Sequence, residues 1–238
     1  MKSFVTSKSI SEELTLQYHD SLNPKLWNGD SLKSEVCSKL LVIAHTWAAF
    51  ANIKPEAIVD IILVGGNANY NYTDFSDIDL HLVIDTDKMP NCKMLEDYLK
   101  DKKQLWGLVH NISIYGHDVE LYAQDKSVAY TMGQGVYSIK NDQWLVHPKK
   151  EFPNLADPAI TSKVDQYKQK INTLIDSNAD DAAFESLKKK FREMRTAGLK
   201  QAGEFSTENL VFKELRNQGY LDRMVNYINS RKDKELSL

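Results

Sequence analysis

Residues 63–80 read LVGGNANYNYTDFSDIDL and hold the strongest structural signal in the chain. A glycine pair, Gly65 and Gly66, directly follows the apolar run 58–64, which predicts a buried β-strand. After ten intervening residues comes an Asp-x-Asp pair, Asp77 and Asp79. These begin the run 77–85, DIDLHLVID, whose alternation of apolar and polar residues predicts a half-buried strand. Because alternate side chains of a strand share a face, we expect the two carboxylates to project together.

These residue types favour phosphate and metal chemistry. Glycine lets backbone N–H groups approach an anion closely, so a loop at Gly65, Gly66 and Asn67 could hold phosphate oxygens. Two neighbouring carboxylates suit Mg²⁺, which commonly binds one or two of them together with substrate phosphates. A simple turn and a polar strand end are the alternatives. Either feature alone is weak, and their joint occurrence at this spacing favours a nucleotide site.

The segment resembles the signature of the nucleotidyltransferase superfamily, which includes DNA polymerase β, poly(A) polymerases, CCA-adding enzymes and antibiotic nucleotidyltransferases. That signature places a hydrophobic residue before Gly–Gly/Ser, and Asp–hydrophobic–Asp/Glu–hydrophobic about ten residues later. Gly65 and Gly66 match its first part, and residues 77–80, preceded by Ser76, match its second. The loop is also similar to that of predicted bacteriophage and bacterial nucleotidyltransferases. The specific resemblance covers residues 63–80 of a chain of 238.

This resemblance implies an Mg²⁺-dependent enzyme that transfers a nucleoside monophosphate from an NTP, such as ATP, to a hydroxyl group. Asp77 and Asp79 would bridge two Mg²⁺ ions, with Mn²⁺ as an alternative, in a two-metal mechanism. The family needs a third carboxylate on a neighbouring strand, for which Glu120 is the best match and Asp118 the fallback. The residues implied to bind the nucleotide are Gly65, Gly66, Asn67 and Ser76.

The loop departs from the commonest family pattern at several positions. Gly66 stands where Ser is usual, Asn67 and Asn69 where Arg is frequent, and Tyr70 where Gly is frequent. Fewer cationic contacts to a nucleotide would result. The sequence therefore leaves open a second function, that of a catalytically weak module with this fold that senses a nucleotide or binds a partner. Synthesis of oligonucleotides or cyclic nucleotides without an external acceptor is a third.

The rest of the sequence predicts an α+β fold: a nucleotidyltransferase-like mixed β-sheet flanked by helices, with a C-terminal all-helical region. A helix is expected from Ser31, with Asp30 or Ser31 as its N-cap, and another from Pro90. Two strands near 109–115 and 119–122 are expected on either side of a turn at 116–118.

From Thr161 onward, apolar residues at helical spacing predict four helices, one of them capped by Ser206. We therefore predict a catalytic domain over residues 1–158 and a helical domain over 159–238.

Composition limits the class of protein. With 42% hydrophobic and 26% charged residues, the 238-residue chain suits one large domain, or one domain with an appendage, and not a disordered chain. No apolar run approaches the roughly 20 residues of a membrane span, so no membrane partner is expected. Two cysteines suggest a reducing compartment. We expect a cytoplasmic protein, in the host cytoplasm if it is phage-encoded.

Charge is unevenly distributed along the chain. The net charge is -3, yet residues 160–238 hold 15 Lys and Arg against 12 Asp and Glu. This mildly basic tail weakly favours an RNA 3′ end as acceptor over a protein or a small molecule. On charge alone, a solvated helix surface is the favoured interpretation. The sequence does not identify a partner protein.

Overall fold

A computed structural model describes residues 14–89, 94–130, 133–151 and 153–237. The chain divides into two compact units. The first, residues 17–152, is called the α/β unit, and the second, which holds 153–237 with residues 14–16, is called the helical unit. The predicted domain boundary at residue 158 stays a prediction.

The α/β unit is built around one mixed sheet. Its elements in chain order are β1 (Trp27–Asn28), β2 (Ser31–Leu32), α1 (Ser34–Phe50), β3 (Ile58–Val64), β4 (Ile78–Ile84), α2 (Leu95–Val109), β5 (Ser113–Ile114), β6 (His117–Asp125), β7 (Val136–Ser138) and β8 (Gln143–Val146). Six strands pair in the order β5-β6-β4-β3-β7-β8, while β1 and β2 form a separate ribbon. β4 and β6 are parallel, and the other neighbouring pairs are antiparallel. The predicted α+β fold with a mixed sheet is confirmed.

The central strands β3 and β4 owe their position to apolar alternation. Leu80 and Leu82 are fully buried in the main core with Leu63 of β3. On α1, Leu40 and Trp47, two helical turns apart, lie on the face buried in the same core. Complete burial of such a side chain contributes about 1.5 to 3 kcal/mol. The strand predicted at 58–64 is confirmed, and β4 lies within the predicted 77–85.

Two local expectations are wrong in detail. Residues 31–32 form β2 instead of a helix, and α1 begins at Ser34 after Lys33, so neither Asp30 nor Ser31 is its N-cap. Leu32 pairs with Trp27 across the ribbon, and both are buried, which holds this backbone extended.

The predicted turn at 116–118 is displaced. β6 begins at His117, and the two-residue turn is Tyr115 and Gly116, both with positive φ. This is the dihedral signature of a tight β-hairpin turn. The helix start predicted at Pro90 falls outside the described residues.

The helical unit contains α3 (Pro158–Asp176), α4 (Asp181–Ala202), α5 (Thr207–Asn217) and α6 (Tyr220–Leu236). The four predicted helices are confirmed, as is Ser206, whose hydroxyl accepts from the Asn209 N–H as N-cap of α5. α5 packs against the other three helices. Phe184 and Ile171 are fully buried in the core they share. Across the described ranges, no helix is both long and apolar enough to span a bilayer.

Candidate functional site

The glycine loop begins where β3 ends. Gly65 has φ 76° and ψ −163°, a region of backbone space that is essentially restricted to glycine. A β-carbon on residue 65 would also lie 1.7 Å from Oδ2 of Asp79. Both the backbone conformation and the close approach of the carboxylate therefore require glycine. At the next position a β-carbon would lie 3.0 Å from the Ser76 hydroxyl, which is tight but less restrictive.

The sheet places two of the predicted carboxylates side by side. Asp79 of β4 is in register with Glu120 of the parallel strand β6. Asp77 comes one residue before β4 begins. The fallback residue, Asp118, is exposed and pairs with Ser113 at the hairpin. Glu120, the first choice for the predicted third carboxylate, is thus in register with Asp79.

The pKa of the Tyr122 hydroxyl is raised by burial and by nearby carboxylates. Burial is the main reason that the pKa of Tyr122 is raised above its usual value, and its hydrogen bond to Glu120 raises it further. The charges of Glu120, Asp79 and Asp77 each add to that rise in pKa, in decreasing order. Asp77, Asp79 and Glu120 are therefore all near enough to the Tyr122 hydroxyl for their charges to act on it.

A lysine from α2 reaches the same place. The Lys103 Nζ lies 3.0 Å from Glu120 Oε2 and 3.3 Å from the centroid of the Tyr122 ring. The Tyr122 hydroxyl donates to that same Oε2 over 2.5 Å. No sequence motif marked Lys103 or Tyr122, because their proximity depends on how α2 packs on β6.

His81 extends this polar face along β4. Its Nδ1 lies 2.6 Å from Gln124 Oε1, and its ring lies 4.6 Å from that of Tyr122. Burial chiefly lowers the pKa of His81, and the Lys103 charge lowers it further, against the opposing hydrogen bond to Gln124. The imidazole is therefore mainly neutral at pH 7, so Lys103 is the cation among these groups.

A buried polar network supports the loop from below. The fully buried Asn67 donates through Nδ2 to the carbonyls of Ser76 and Asp77, at 3.1 and 2.9 Å. Its Oδ1 accepts from Asn23, which also contacts His117. Asn67 thus fixes the backbone that leads into β4. The roles of Asn67 and Ser76 toward a nucleotide stay predictions.

Asn69 closes the other side of the loop. Its Nδ2 donates to the Gly65 carbonyl over 2.6 Å, and its Oδ1 accepts from the Gly135 N–H over 2.8 Å. Both ends of this amide are therefore used to hold backbone together. The buried Ser76 hydroxyl likewise accepts from the Thr73 N–H.

Comparison with known proteins adds little to this geometry. No family model matches the chain. No curated protein matches it either. A solved structure, that of the STING-associated CdnE c-di-GMP synthase from Capnocytophaga granulosa, aligns over 84% of this chain and 68% of its own. The identity is 13% and the TM-score 0.22.

The donor atoms suit a divalent metal ion in chemical type. Asp77, Asp79 and Glu120 offer hard carboxylate oxygens, the class of ligand that Mg²⁺ prefers. Gly65 leaves the space that the Asp79 carboxylate enters. Within the described ranges, however, no three His, Cys, Asp or Glu side chains are arranged so that they could hold a metal ion. One Glu120 oxygen instead contacts Lys103 and Tyr122. The three carboxylates fit a divalent metal ion in the chemistry of their donor atoms.

Proposed function

We propose that this protein is a metal-dependent nucleotidyltransferase, which moves a nucleoside monophosphate from an NTP to a hydroxyl group. The supporting observation is the register of Asp79 with Glu120 on parallel strands, next to a glycine loop that the Asp79 carboxylate enters. In the reaction, the acceptor oxygen forms a bond to the α-phosphorus. The bond between that phosphorus and the bridging oxygen breaks, pyrophosphate leaves, and the acceptor proton passes to solvent.

Each part of the site has a proposed role. Asp77, Asp79 and Glu120 would hold two Mg²⁺ ions, with Mn²⁺ as an alternative. Such a pair of ions supplies stabilisation of the attacking and leaving oxygens. The backbone at Gly65 and Gly66 would face the triphosphate, and the buried Asn67 would keep the strand entry in place. Three close carboxylates repel one another, so a bound cation favours their shared ionised state.

The acceptor is the less constrained part of the proposal. An RNA 3′ end is favoured weakly, because residues 160–238 hold 15 basic against 12 acidic side chains. A protein hydroxyl, a small molecule or a second nucleotide would react by the same chemistry. The nature of the labelled product distinguishes these four.

A catalytically weak nucleotide-sensing or partner-binding module is the second candidate. Two observations favour it. Residues 65–76 contain no Lys or Arg, and the side-chain amide of Asn69 is hydrogen-bonded to the backbone of Gly65 and Gly135. Such a module would bind a nucleotide through backbone groups without turning it over.

The test is incubation with labelled ATP, GTP, CTP or UTP in a host lysate, with and without Mg²⁺ or Mn²⁺. We expect a labelled product only with the metal, and loss of that product in Asp77→Asn and Asp79→Asn. Asp74→Asn is the matched control, because its side chain lies in the same loop but is 86% exposed. Full transfer by Asp79→Asn contradicts the proposal. Nucleotide binding without transfer to any acceptor supports the second candidate.

A further inference from the structure

We infer that Lys103 is a built-in counter-ion of the carboxylate face, which competes with divalent cations for Glu120 and thereby weakens metal binding to the free protein. This inference rests on the proposed function, because it concerns the regulation of the same site. It assigns Lys103 as a positioning residue that acts through Glu120.

Lys103 lies on the buried side of α2. Leu99 and Trp106 are the buried residues of this helix, and Lys103 lies four positions after the first and three before the second. These spacings put all three on one face of a helix, the face on which an amphipathic helix normally carries apolar residues. The Lys103 side chain is 31% exposed. Its ammonium group reaches Glu120 and Tyr122 of β6, so the charge lies against the sheet.

The ammonium is held by two different kinds of contact. Glu120 Oε2 lies 3.0 Å from Nζ, and the face of the Tyr122 ring lies 3.3 Å from it. An ion pair and a cation–π contact therefore hold the same charge. The hydrogen bond from the Tyr122 hydroxyl to the same oxygen holds that carboxylate in place. The Glu120 oxygen nearest to Lys103 is thus already coordinated by donors.

Because both are positively charged, Lys103 and a divalent cation compete for Glu120. A divalent ion held between Asp79 and Glu120 would bring two positive charges beside the Lys103 ammonium. Like charges disfavour one another at such distances, and the partial burial reduces screening by salt. A cation bound at Glu120 would therefore displace Lys103, which its flexible four-carbon stem allows. Removal of the ammonium should strengthen metal binding.

The neighbouring lysine provides a matched control. Lys102 belongs to the same helix, is also half-buried, and lies over the rings of Phe50 and Tyr98 at 5.0 and 5.4 Å. Lys102→Met removes the same charge from the same helix at a cation–π contact of its own. Its effect reports on the general field of the protein, and the excess effect of Lys103→Met reports on the contact with Glu120.

The experiment measures Mn²⁺ binding to the full-length protein by electron paramagnetic resonance, without nucleotide and at low ionic strength. We expect Lys103→Met to bind Mn²⁺ about two to five times more tightly than the wild type, the size expected for one partly exposed ion pair. Lys103→Arg and Lys102→Met should bind like the wild type. The gain should disappear when Lys103→Met is combined with Glu120→Gln, because the two residues form one contact.

Equal or weaker Mn²⁺ binding by Lys103→Met overturns the inference, as does a gain that survives in the Glu120→Gln background. If Lys103→Met does not fold, as judged by near-UV circular dichroism, Lys103→Gln takes its place. Label transfer by the wild type, with no gain from Lys103→Met, rejects the inference and leaves the proposed function standing. No Mn²⁺ binding by any variant, together with no transfer, rejects both.

Discussion

Gly65 and Asp79 lie so close together that a β-carbon on residue 65 would clash with the Asp79 carboxylate. The position of that carbon on residue 65 falls 1.7 Å from Asp79 Oδ2, well inside van der Waals contact. The end of one strand and the second carboxylate of the next are thereby fitted to each other across the β3–β4 pair. Gly65, which in the sequence indicates a turn or a phosphate-binding loop, also makes room for the Asp79 carboxylate.

Gly65→Ala should therefore disable the site. The new methyl group would force the Asp79 carboxylate away, and the backbone at φ 76° and ψ −163° would cost about 1 to 3 kcal/mol of stability. We expect loss of nucleotide transfer together with a lower urea midpoint. Gly203→Ala is the control, because Gly203 of the helical unit has similar dihedrals, φ 68° and ψ −153°. It should lose stability but keep transfer; full transfer by Gly65→Ala would refute this account.

Asn67→Ala tests the buried network beneath the loop. Its side-chain amide supplies donors to the carbonyls of Ser76 and Asp77, and Asn23 donates to its oxygen. Loss of these partners leaves buried polar groups unpaired, which costs about 1 to 3 kcal/mol. Urea denaturation should show this loss, whereas Asn226→Ala, at an exposed position of α6, should show little change. Equal midpoints for the two variants would mean that the network does not hold the strand entry.

Asp125, at the end of β6, makes stability depend on pH in the acid range. Hydrogen bonds to its carboxylate, first from the Ser127 hydroxyl and then from that of Thr86, hold the pKa of Asp125 well below its usual range. A lowered pKa in the folded state gives stability that is present above the unfolded value of about 4 and is lost as the pH falls below it.

Asp125→Asn should accordingly be less stable than the wild type at pH 7, and the difference should shrink as the pH falls below about 4. Urea unfolding at pH 7 and at pH 3 measures it. Asp101→Asn, at an exposed position within α2, should show no such trend. A difference that grows toward acid pH would reverse the assigned sign.

The local sequence pattern was sufficient to predict the two central strands of the sheet. β3 and β4 follow from apolar runs of strand length, and the Asp77 and Asp79 pair follows from a spacing of two on a strand. Glu120 was selected by resemblance to a motif, and the parallel register places it beside Asp79. The two strands and the Asp77 and Asp79 pair could be predicted because each depends on residues close together in the sequence, whereas Glu120 depended on the resemblance.

Long-range packing accounts for what the sequence did not reveal. Lys103 meets Tyr122 only because α2 packs on β6, and nothing near Lys103 in the sequence distinguishes it from Lys102. The sequence predicts that Asn67 binds a nucleotide, and this stays a prediction; its side chain is fully buried and donates to backbone carbonyls. A polar residue in a glycine loop has the same sequence signature in either role, and only its surroundings distinguish them.

Glu214 of α5 anchors Thr15 within the helical unit. This carboxylate is fully buried, and both of its oxygens accept from the Thr15 N–H at 3.0 Å. The Thr15 hydroxyl donates to Oε2 over 2.8 Å, and Gln218 donates to Oε1. A buried carboxylate is tolerated because these donors replace water.

Glu214→Ala should therefore lower the free energy of unfolding by about 3 kcal/mol, because it removes charge-assisted hydrogen bonds and leaves their donors buried. Glu214→Gln should lose less, since its amide keeps one oxygen as an acceptor. Glu235→Ala is the control, because that side chain is 65% exposed. The measurement is urea unfolding followed by circular dichroism, which reports on the helices. Should Glu214→Ala be as stable as Glu235→Ala, the contact between Thr15 and α5 would contribute nothing to this unit. Residues 14–16 would then be held there by the apolar side chains of Leu14 and Leu16 alone.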